Sequence, residues 1–323
     1  MRKLKMKYFV TGGAGFIGSH IVDKLLSKRA QVVVYDNFRT GNIEFIKENI
    51  KNPNFKLIRG DILNLNTLTK AMKGSDFIFH LAANADVRGG INNTKVDLDI
   101  NTIGTWNVLE AMRINGIKKI AFSSSAAVYG EPKVFPTPEN AELIQTSLYG
   151  ASKLAGEAMI EAYCNYYNMQ AWIFRFTSWI GERYTHGVIF DFVKKLKKNQ
   201  KELQILGDGS QKKSFLYVKD GVEGIFKGIE SFKEKVNILN VGHEEYLTVN
   251  KVADIVISEM GLKKVKRRYT GGKRGWPGDS PFVHLDISKL RKAGWKPEVS
   301  IEEGIRRTVR YLTEHQDLIK VYK

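Results

Sequence analysis

The stretch Tyr8-Phe-Val-Thr-Gly-Gly-Ala-Gly-Phe-Ile-Gly-Ser-His20 decides the fold of this chain. Its first residues predict a short buried strand that ends at Thr11, and apolar residues at helical spacing predict a helix over 16–28. The glycines at 12, 15 and 18 have the spacing of a dinucleotide-binding turn, in which a helix N terminus and its backbone N–H groups hold a pyrophosphate. Because glycines also mark ordinary turns, the triplet needs support from its context.

That support comes from the next apolar run, Gln31-Val-Val-Val-Tyr35, which predicts a second strand and ends at Asp36. A carboxylate at this place can accept both ribose hydroxyls of an adenosine and would repel a 2′-phosphate. The pattern therefore predicts NAD rather than NADP. The alternative is an ordinary strand–helix–strand turn with a surface acid.

Composition limits the class of protein. The 323 residues suit one large α/β unit or two modest domains, and 43% hydrophobic residues with a mean hydropathy of -0.28 indicate a soluble globular chain. No apolar run reaches membrane-spanning length, and no signal-peptide core follows the basic start, so we expect a cytoplasmic protein without a membrane partner. Cys164 is the only cysteine, which excludes an internal disulfide, and we predict no metal site.

The net charge of +17 could indicate a nucleic-acid-binding protein. However, the lysines are scattered, the short clusters suit solvated helix and loop faces, and no nucleic-acid recognition motif accompanies them. We therefore expect no nucleic-acid partner. A positive surface would also attract a doubly charged nucleotide-sugar.

The first half of the chain alternates predicted strands and helices, which indicates a parallel sheet covered by helices on both faces. Ligands of such sheets lie beyond the carboxyl ends of the strands. The residues that directly follow predicted strands are therefore candidates for a site: Gly12, Asp36, Asp61, Leu81, Ala82, Ala83, Ser123, Ser124 and Ser125.

The segment Tyr149-Gly-Ala-Ser-Lys153 opens another predicted helix, and residues four apart share one helix face. A lysine ammonium beside a tyrosine hydroxyl would lower the tyrosine pKa and allow it to take a proton near neutral pH. A serine hydroxyl from 123–125 could donate a hydrogen bond to the substrate oxygen from which the tyrosine takes the proton. A tyrosine and a lysine at this spacing also occur by chance in helices.

Together these motifs resemble the extended short-chain dehydrogenase/reductase superfamily. The resemblance rests on Thr11–Gly18, Asp36, Asp61-Ile62, His80-Leu-Ala-Ala83, Asn101, Ser123-Ser-Ser-Ala-Ala-Val-Tyr-Gly130 and Tyr149-x-x-x-Lys153. Within the superfamily the chain is most similar to NAD-dependent nucleotide-sugar epimerases, especially the UDP-glucose (UDP-galactose) 4-epimerases. The resemblance implies a doubly wound parallel sheet, Rossmann-like, with a smaller mixed C-terminal substrate-binding domain. The NAD-binding domain would cover 1–178 with returning segments at about 214–229 and 236–260, and the substrate-binding part would cover 179–213 and 261–323.

The resemblance also implies roles for single residues. Ser125, Tyr149 and Lys153 would be catalytic, with Tyr149 as the base and Lys153 also gripping the nicotinamide ribose. The implied NAD-binding residues are Gly12, Gly15, Phe16, Ile17, Asp36, Asn37, Thr40, Gly41, Asp61, Ile62, Leu81, Ala82, Ala83, Asn101, Ser123, Tyr149, Lys153 and Phe176.

The implied substrate-binding residues include two departures from the family pattern. Ser178 stands where the family usually has asparagine, and Lys213 stands where it usually has arginine, which keeps the charge but loses bidentate geometry. His186 has the alternative of a surface or structural histidine. The full implied set is Ser125, Ser178, Arg183, His186, Lys213, Arg274 and Asp279.

The expected reaction is interconversion of UDP-glucose and UDP-galactose type sugars through a 4-keto intermediate. Dehydration is disfavoured because Ala126 and Ala127 stand where related dehydratases carry an acid and a base, and alanine cannot transfer protons. The alternatives are UDP-glucuronate as substrate, a net oxidation, or an NAD-binding regulatory module without catalysis. The resemblance further implies a homodimer formed through helices over 97–115 and 149–167.

Overall fold

The computed structural model describes the backbone of residues 6–321 and the side chains of residues 6–318. The outer limits of the predicted domains, residues 1 and 323, lie outside this part. The chain divides into two compact units. The first comprises Met1–Val128, Leu148–Arg175 and Ile225–Leu239, and the second comprises Tyr129–Ser147, Phe176–Gly224 and Asn240–Lys323.

The described residues contain fourteen strands. In chain order they are β1 (Lys7–Thr11), β2 (Gln31–Asp36), β3 (Phe55–Arg59), β4 (Phe77–His80), β5 (Lys119–Ser125), β6 (Gln170–Phe176), β7 (Ser178–Ile180), β8 (Glu202–Ile205), β9 (Lys212–Lys213), β10 (Phe215–Tyr217), β11 (Val236–Val241), β12 (Leu247–Thr248), β13 (Lys266–Tyr269) and β14 (Phe282–Val283).

Seven of these strands form the main sheet, in the order β11-β6-β5-β4-β1-β2-β3. The pairs β1–β2, β2–β3, β1–β4 and β4–β5 are parallel. The chain runs outward from β1 through β2 to β3 and then returns to the other side of β1 at β4. This reversal leaves a crevice beyond the carboxyl ends of β1 and β4, where doubly wound sheets bind ligands. The predicted α/β, Rossmann-like fold is confirmed.

The helices of the described part cover the faces of this sheet and also occur in the second unit. They are α1 (Phe16–Ser27), α2 (Leu65–Met72), α3 (Gly89–Asn92), α4 (Lys95–Asp97), α5 (Gly104–Ile114), α6 (Leu148–Tyr167), α7 (Val188–Lys198), α8 (Val218–Ser231), α9 (Val249–Glu259), α10 (Ser288–Lys292), α11 (Ile301–Glu314) and α12 (Gln316–Val321). Within residues 6–321, no helix combines the length and apolar composition that crossing a membrane requires.

The core of the first unit explains why the strands read as continuous apolar runs. A parallel sheet covered on both faces buries both sides of each strand. Phe9, Val33, Ile78, Ile120 and Ile173, from five neighbouring strands, lie in one buried cluster. The predicted helix over 97–115 corresponds to a continuous helical segment over 95–114, but Leu98–Ile103 within it is a π-helix between α4 and α5.

The second unit combines small sheets with three packed helices. Strands β7 and β10 pair in parallel, β8 pairs with β13, and β9 lies between β12 and β14. Helices α7, α9 and α11 contribute buried aliphatic side chains to its core, among them Leu196, Val252 and Ile305. Ser300 caps α11, because its hydroxyl accepts a hydrogen bond from the backbone N–H of Glu303.

Candidate functional site

The glycine turn lies between β1 and α1, where the sequence places it. Gly12 has a φ of +69°, and a Cβ there would lie 2.7 Å from the backbone nitrogen of Ala82. A Cβ on Gly18 would lie 2.1 Å from the carbonyl oxygen of Gly12. Only glycine therefore fits at either position. The turn leads directly into the N terminus of α1. The first backbone N–H groups of a helix have no hydrogen-bond partner within that helix. This cradle fits a pyrophosphate.

The adenosine end of the predicted NAD site lies at the ends of β2 and β3. Asp36 is 6% exposed, and its carboxylate accepts hydrogen bonds from the backbone N–H groups of Ala14, at 2.9 Å, and Phe38, at 2.8 Å. Burial raises the pKa of Asp36. The amide of Asn37 donates to the Asp61 carboxylate at 2.9 Å. Each carboxylate oxygen keeps acceptor capacity for a ribose hydroxyl.

The other predicted residues of this end differ in their exposure. A Cβ on Gly41 would lie 2.8 Å from Oδ1 of Asp36, so this glycine lets the loop approach the carboxylate. Ile62 is buried and belongs to the core cluster, whereas Thr40 is exposed. Ile62 can therefore reach an adenine only through its backbone.

The end of β4 lies against the glycine turn. The backbone N–H of Leu81 donates to the carbonyl of Thr11 at 3.2 Å, and Ala82 is the residue that leaves no room for a Cβ at Gly12. His80, just before them, is held between Thr11 Oγ1, at 2.8 Å from Nδ1, and Thr105 Oγ1, at 3.0 Å from Nε2. Burial lowers the pKa of His80 to about 3, so its ring is neutral. The segment 81–83 therefore lines the floor of the crevice.

The three predicted catalytic side chains come together in the first unit. Ser125 ends β5, and its side chain hydrogen-bonds that of Tyr149, the second residue of α6. The ammonium of Lys153 is 2% exposed, donates to the carbonyl of Ser123 at 2.8 Å and lies 6.0 Å from the centre of the Tyr149 ring. A serine, a tyrosine and a lysine in this arrangement can exchange a proton with a substrate hydroxyl.

The prediction that Lys153 lowers the pKa of Tyr149 is wrong for the NAD-free chain. Burial raises the pKa of Tyr149 to about 12. The residue as a whole is half-buried. The hydrogen bond from Ser125 opposes this shift, and the charge of Asp97 adds to it. Lys153 does not lower the tyrosine pKa as expected, because burial lowers its own pKa to about 8 and it is therefore neutral at the pH where Tyr149 loses its proton.

Asn101 supports the start of α6 from the π-helix. Its amide donates to Ser152 Oγ at 3.0 Å, and that hydroxyl donates to the carbonyl of Tyr149 at 2.8 Å. Its Oδ1 accepts from the backbone N–H of Asn84 at 2.8 Å. An extra residue in a helical turn often marks a functional site, and here it directs Asn101 inward.

Sequence reasoning missed several polar residues of this region. Glu157 lies one turn beyond Lys153 and is 1% exposed; it accepts hydrogen bonds from Arg175 and from the hydroxyl of Ser124. Asp97 is equally buried. The sequence signal for such residues is a charged side chain on the face of a predicted helix that otherwise carries apolar residues. Charged side chains are rarely buried unless they are paired.

Three predicted substrate residues come together in the second unit. The Lys213 ammonium donates to the Asp279 carboxylate at 2.7 Å and to the carbonyl of Ser280. The Arg274 guanidinium donates to the carbonyl of Asp279 at 2.9 Å and to both carboxylate oxygens of Glu131. Two cations held by acids within one loop region form a surface that can exchange those acids for phosphate oxygens.

The remaining predicted substrate residues lie on β7 and the loop after it. Ser178 is exposed and is paired in register with Phe215, two residues beyond Lys213. Arg183 has a φ of +65°. The ring of His186 stacks on Tyr184, and its Nδ1 lies 3.2 Å from the hydroxyl of Thr185. The predicted cofactor residue Phe176 is 8% exposed and packs on Trp179, with ring centres 4.3 Å apart.

Comparison with known proteins adds three findings. Residues 8–242 match the model of the NAD dependent epimerase/dehydratase family. A putative UDP-glucose 4-epimerase of Methanocaldococcus jannaschii is 39% identical over 309 residues, which cover 94% of this chain and 97% of that protein. Two solved structures are also similar in fold.

The first of these structures is a UDP-galactose 4-epimerase, with a TM-score of 0.87, 36% identity and coverage of 96% of this chain and 99% of that one. The second is a UDP-glucuronic acid 4-epimerase of Bacillus cereus in complex with UDP-glucuronic acid and NAD. Its TM-score is 0.88 at 29% identity, and the coverage is again 96% and 99%.

Proposed function

The chain belongs to the NAD dependent epimerase/dehydratase family, and from this membership we propose that it is an isomerase that interconverts UDP-glucose and UDP-galactose at C4. The observation that carries the proposal is the assembly of Ser125, Tyr149 and Lys153 in the unit that also contains the glycine turn. A binding module without catalysis would need none of these three side chains.

In the proposed reaction, the residues of the first unit bind NAD and transfer the proton of the C4 hydroxyl. Bound NAD supplies reversible acceptance of a hydride from C4 of the sugar. Tyr149 takes the proton of the C4 hydroxyl and later gives it back, while Ser125 donates a hydrogen bond to the same oxygen. In the complex with NAD and substrate, the positive charge of Lys153 would stabilise the phenolate, an effect that is absent in the NAD-free chain. Asp36 and the glycine turn hold the adenosine ribose and the pyrophosphate.

The second unit would hold the nucleotide-sugar. Lys213 and Arg274 provide two positive charges for the diphosphate, whose oxygens would replace the carboxylates of Asp279 and Glu131 that now bind them. Ser178, Arg183 and His186 would face the sugar. On this proposal the first unit binds the cofactor and the second binds the substrate.

The side chains after Ser125 support epimerisation over dehydration. Ala126 and Ala127 begin the short 3₁₀ helix Ala126–Tyr129 that follows β5. Loss of water would need an acid and a base near this place, and alanine provides neither. Epimerisation needs only Tyr149, a hydride acceptor and room for the keto sugar to turn over.

UDP-glucuronate is the second candidate substrate. It is favoured by the similarity to the Bacillus cereus enzyme, whose structure contains UDP-glucuronic acid. Arg183 could pair with the uronate carboxylate, and Ser178 could donate a hydrogen bond to it.

A homodimer is the assembly that we propose. Helices α5 and α6 carry exposed apolar side chains, including Trp106 at 41%, Ile114 at 53% and Tyr166 at 80% exposure. Apolar side chains in such number on neighbouring helices indicate a protein contact. Sedimentation of the purified protein, with Tyr166→Lys as a comparison, tests this assembly.

We further propose a cytoplasmic location. Cys164 is a free, buried thiol in the described structure. A free thiol suits a reducing compartment. Fractionation of cells that produce the protein from its own gene tests the location.

The test of the function uses purified protein without added cofactor. Separate anaerobic incubations with UDP-glucose, UDP-galactose, UDP-glucuronate and UDP-N-acetylglucosamine are followed by proton NMR of the sugar. A C4 epimer of glucose or galactose supports the main proposal, and an epimer of glucuronate alone supports the second. Absence of any epimer, even after NAD is added, contradicts both.

A further inference from the structure

Asp97 carries a buried carboxyl group with one oxygen that lacks a partner. The side chain is 1% exposed. Its Oδ1 accepts hydrogen bonds from the amides of Asn84, at 2.9 Å, and Asn101, at 3.2 Å. Its Oδ2 has no hydrogen-bond partner among the described residues, and a Cβ on Gly90 would lie 2.8 Å from it. A buried polar atom without a partner is destabilising, and such exceptions concentrate at functional sites.

The charged neighbours of Asp97 belong to the catalytic pair and to one loop. Tyr149 and Lys153 of α6 interact electrostatically with it. Burial raises the pKa of Asp97, and the charge of Asp86, on the loop after β4, adds to that rise. Helix α3, which brings Gly90 to it, contains no titratable side chain. On its own segment, Lys95 and Asp99 bind each other at 2.5 Å. Lys153 is therefore the cation that acts on the Asp97 carboxylate among the described residues.

Lys153 in turn depends on its acidic neighbours. Burial lowers the pKa of its ammonium to about 8, and the carboxylates of Glu157 and Asp97 oppose this shift. The nearby His80 has a pKa of about 3 and adds no charge. Glu157 is already bound to Arg175, whereas Asp97 has no cation as a hydrogen-bond partner among the described residues.

We propose that Asp97 is a positioning residue for the Tyr149–Lys153 pair: its negative charge stabilises the ammonium form of Lys153, and its Oδ1 holds the two asparagine amides beneath the start of α6. Asn101 connects Asp97 to the start of α6, because its amide also donates to Ser152, whose hydroxyl donates to the carbonyl of Tyr149. The catalytic part of this inference rests on the proposed epimerase function, but the effect on Lys153 does not.

The substitution Asp97→Asn separates the two effects. Asparagine keeps an oxygen that can accept from Asn84 and Asn101 but loses the charge, so the pKa of both Lys153 and Tyr149 falls. A neighbouring buried charge shifts a pKa by about 1 unit or more. In the active enzyme, both limbs of the pH profile of kcat/KM then move to lower pH. A purely structural role would lower activity at every pH and leave the limbs in place.

A direct measurement on the NAD-free protein does not depend on activity. Lysine labelled with ¹³C at Cε is titrated by NMR, and Lys153→Met identifies the Lys153 signal. We expect a pKa near 8 in the unsubstituted chain and a value lower by about 1 unit in Asp97→Asn. Asp99→Asn, the same change two residues away at a surface ion pair, is the matched control and leaves the Lys153 titration unchanged.

The outcomes are distinguishable from failure of the proposed function. If the unsubstituted protein turns over none of the sugars, the function fails while the NMR titration still tests Asp97. An unchanged Lys153 pKa in Asp97→Asn overturns the proposal. If that variant does not fold, Asp97→Ala removes the same charge with a smaller side chain and must lower the Lys153 pKa in the same way; an unchanged value there also overturns it.

Discussion

Arg175 and Glu157 form a salt bridge inside the first unit. Arg175 Nη2 donates to Glu157 Oε2 at 2.7 Å, and the exposed fractions of the two side chains are 3% and 2%. The hydroxyl of Ser124, next to the catalytic Ser125, donates to the same carboxylate. The ion pair thus joins β5, β6 and α6 directly beneath the predicted catalytic group.

Removing one partner of this pair should destabilise the protein strongly. Glu157→Gln leaves the Arg175 charge buried without an acid, and breaking a buried pair in this way costs about 3–5 kcal/mol. Urea unfolding at pH 7 measures the change. The matched control is Glu302→Gln, because Glu302 pairs with Arg306 on a solvent-exposed helix face where such pairs contribute about 0–1 kcal/mol. Equal losses in the two variants would contradict the prediction.

Tyr149→Phe should remove catalysis while NAD binding is largely retained. The substitution deletes the hydroxyl that exchanges a proton with the substrate, and a general base contributes about 10²–10⁴-fold to a rate. We expect kcat to fall by at least this factor, measured by epimer formation. Tyr163→Phe, on the same helix with its hydroxyl bonded to Glu110, is the control and keeps normal turnover. Near-normal kcat in Tyr149→Phe would refute the role of the tyrosine.

How far the sequence predicts this site depends on whether an interaction is local. The glycine turn, Asp36 at the end of β2 and the tyrosine–lysine spacing are local patterns, and the structure has the predicted strand and helix at each. The raised pKa of Tyr149 was not predictable, because it depends on burial and on Asp97, which is 52 residues away in the chain. The π-helix around Asn101 escaped prediction for the same reason, since long-range contacts stabilise it.

The lowered pKa of Lys153 predicts how stability changes with pH. In the folded NAD-free chain the ammonium loses its proton near pH 8, whereas in the unfolded chain it does so near 10.5. Between these values the unfolded state binds more protons, so the contribution of Lys153 to stability rises with pH, by about 1 kcal/mol per pH unit. Urea unfolding at pH 7.5, 8.5 and 9.5 should show this rise relative to Lys153→Met. A constant difference between the two proteins would contradict it.

Glu131 should compete with the substrate for Arg274. Its carboxylate accepts two hydrogen bonds from the guanidinium in the ligand-free chain. If Arg274 binds the diphosphate, Glu131→Gln weakens this competition and lowers the KM for the UDP-sugar several-fold, with little change in kcat. Glu142→Gln, which alters an exposed pair with Lys133 in the same segment, is the control. An unchanged KM in Glu131→Gln would remove Glu131 from substrate binding.

The glycine turn offers a comparison between two glycines with the same backbone conformation. Gly12 has a φ of +69° and Gly116 a φ of +68°, so alanine is strained at both positions by about the same amount, roughly 1 kcal/mol. A Cβ at Gly12 would meet the backbone of Ala82, whereas a Cβ at Gly116 would meet nothing within 4 Å. Gly12→Ala must therefore push the ends of β1 and β4 apart.

We expect Gly12→Ala to lose bound NAD and to unfold at lower temperature than Gly116→Ala. The shift at Gly12 displaces the backbone N–H groups proposed to hold the pyrophosphate, while Gly116 follows α5 at a turn without such a role. NAD released from the denatured proteins is measured by absorbance, and calorimetry of the NAD-free proteins measures their stability. Equal NAD content in the two variants would show that the pyrophosphate is not held at this turn, because backbone strain is matched and only the close approach to Ala82 differs.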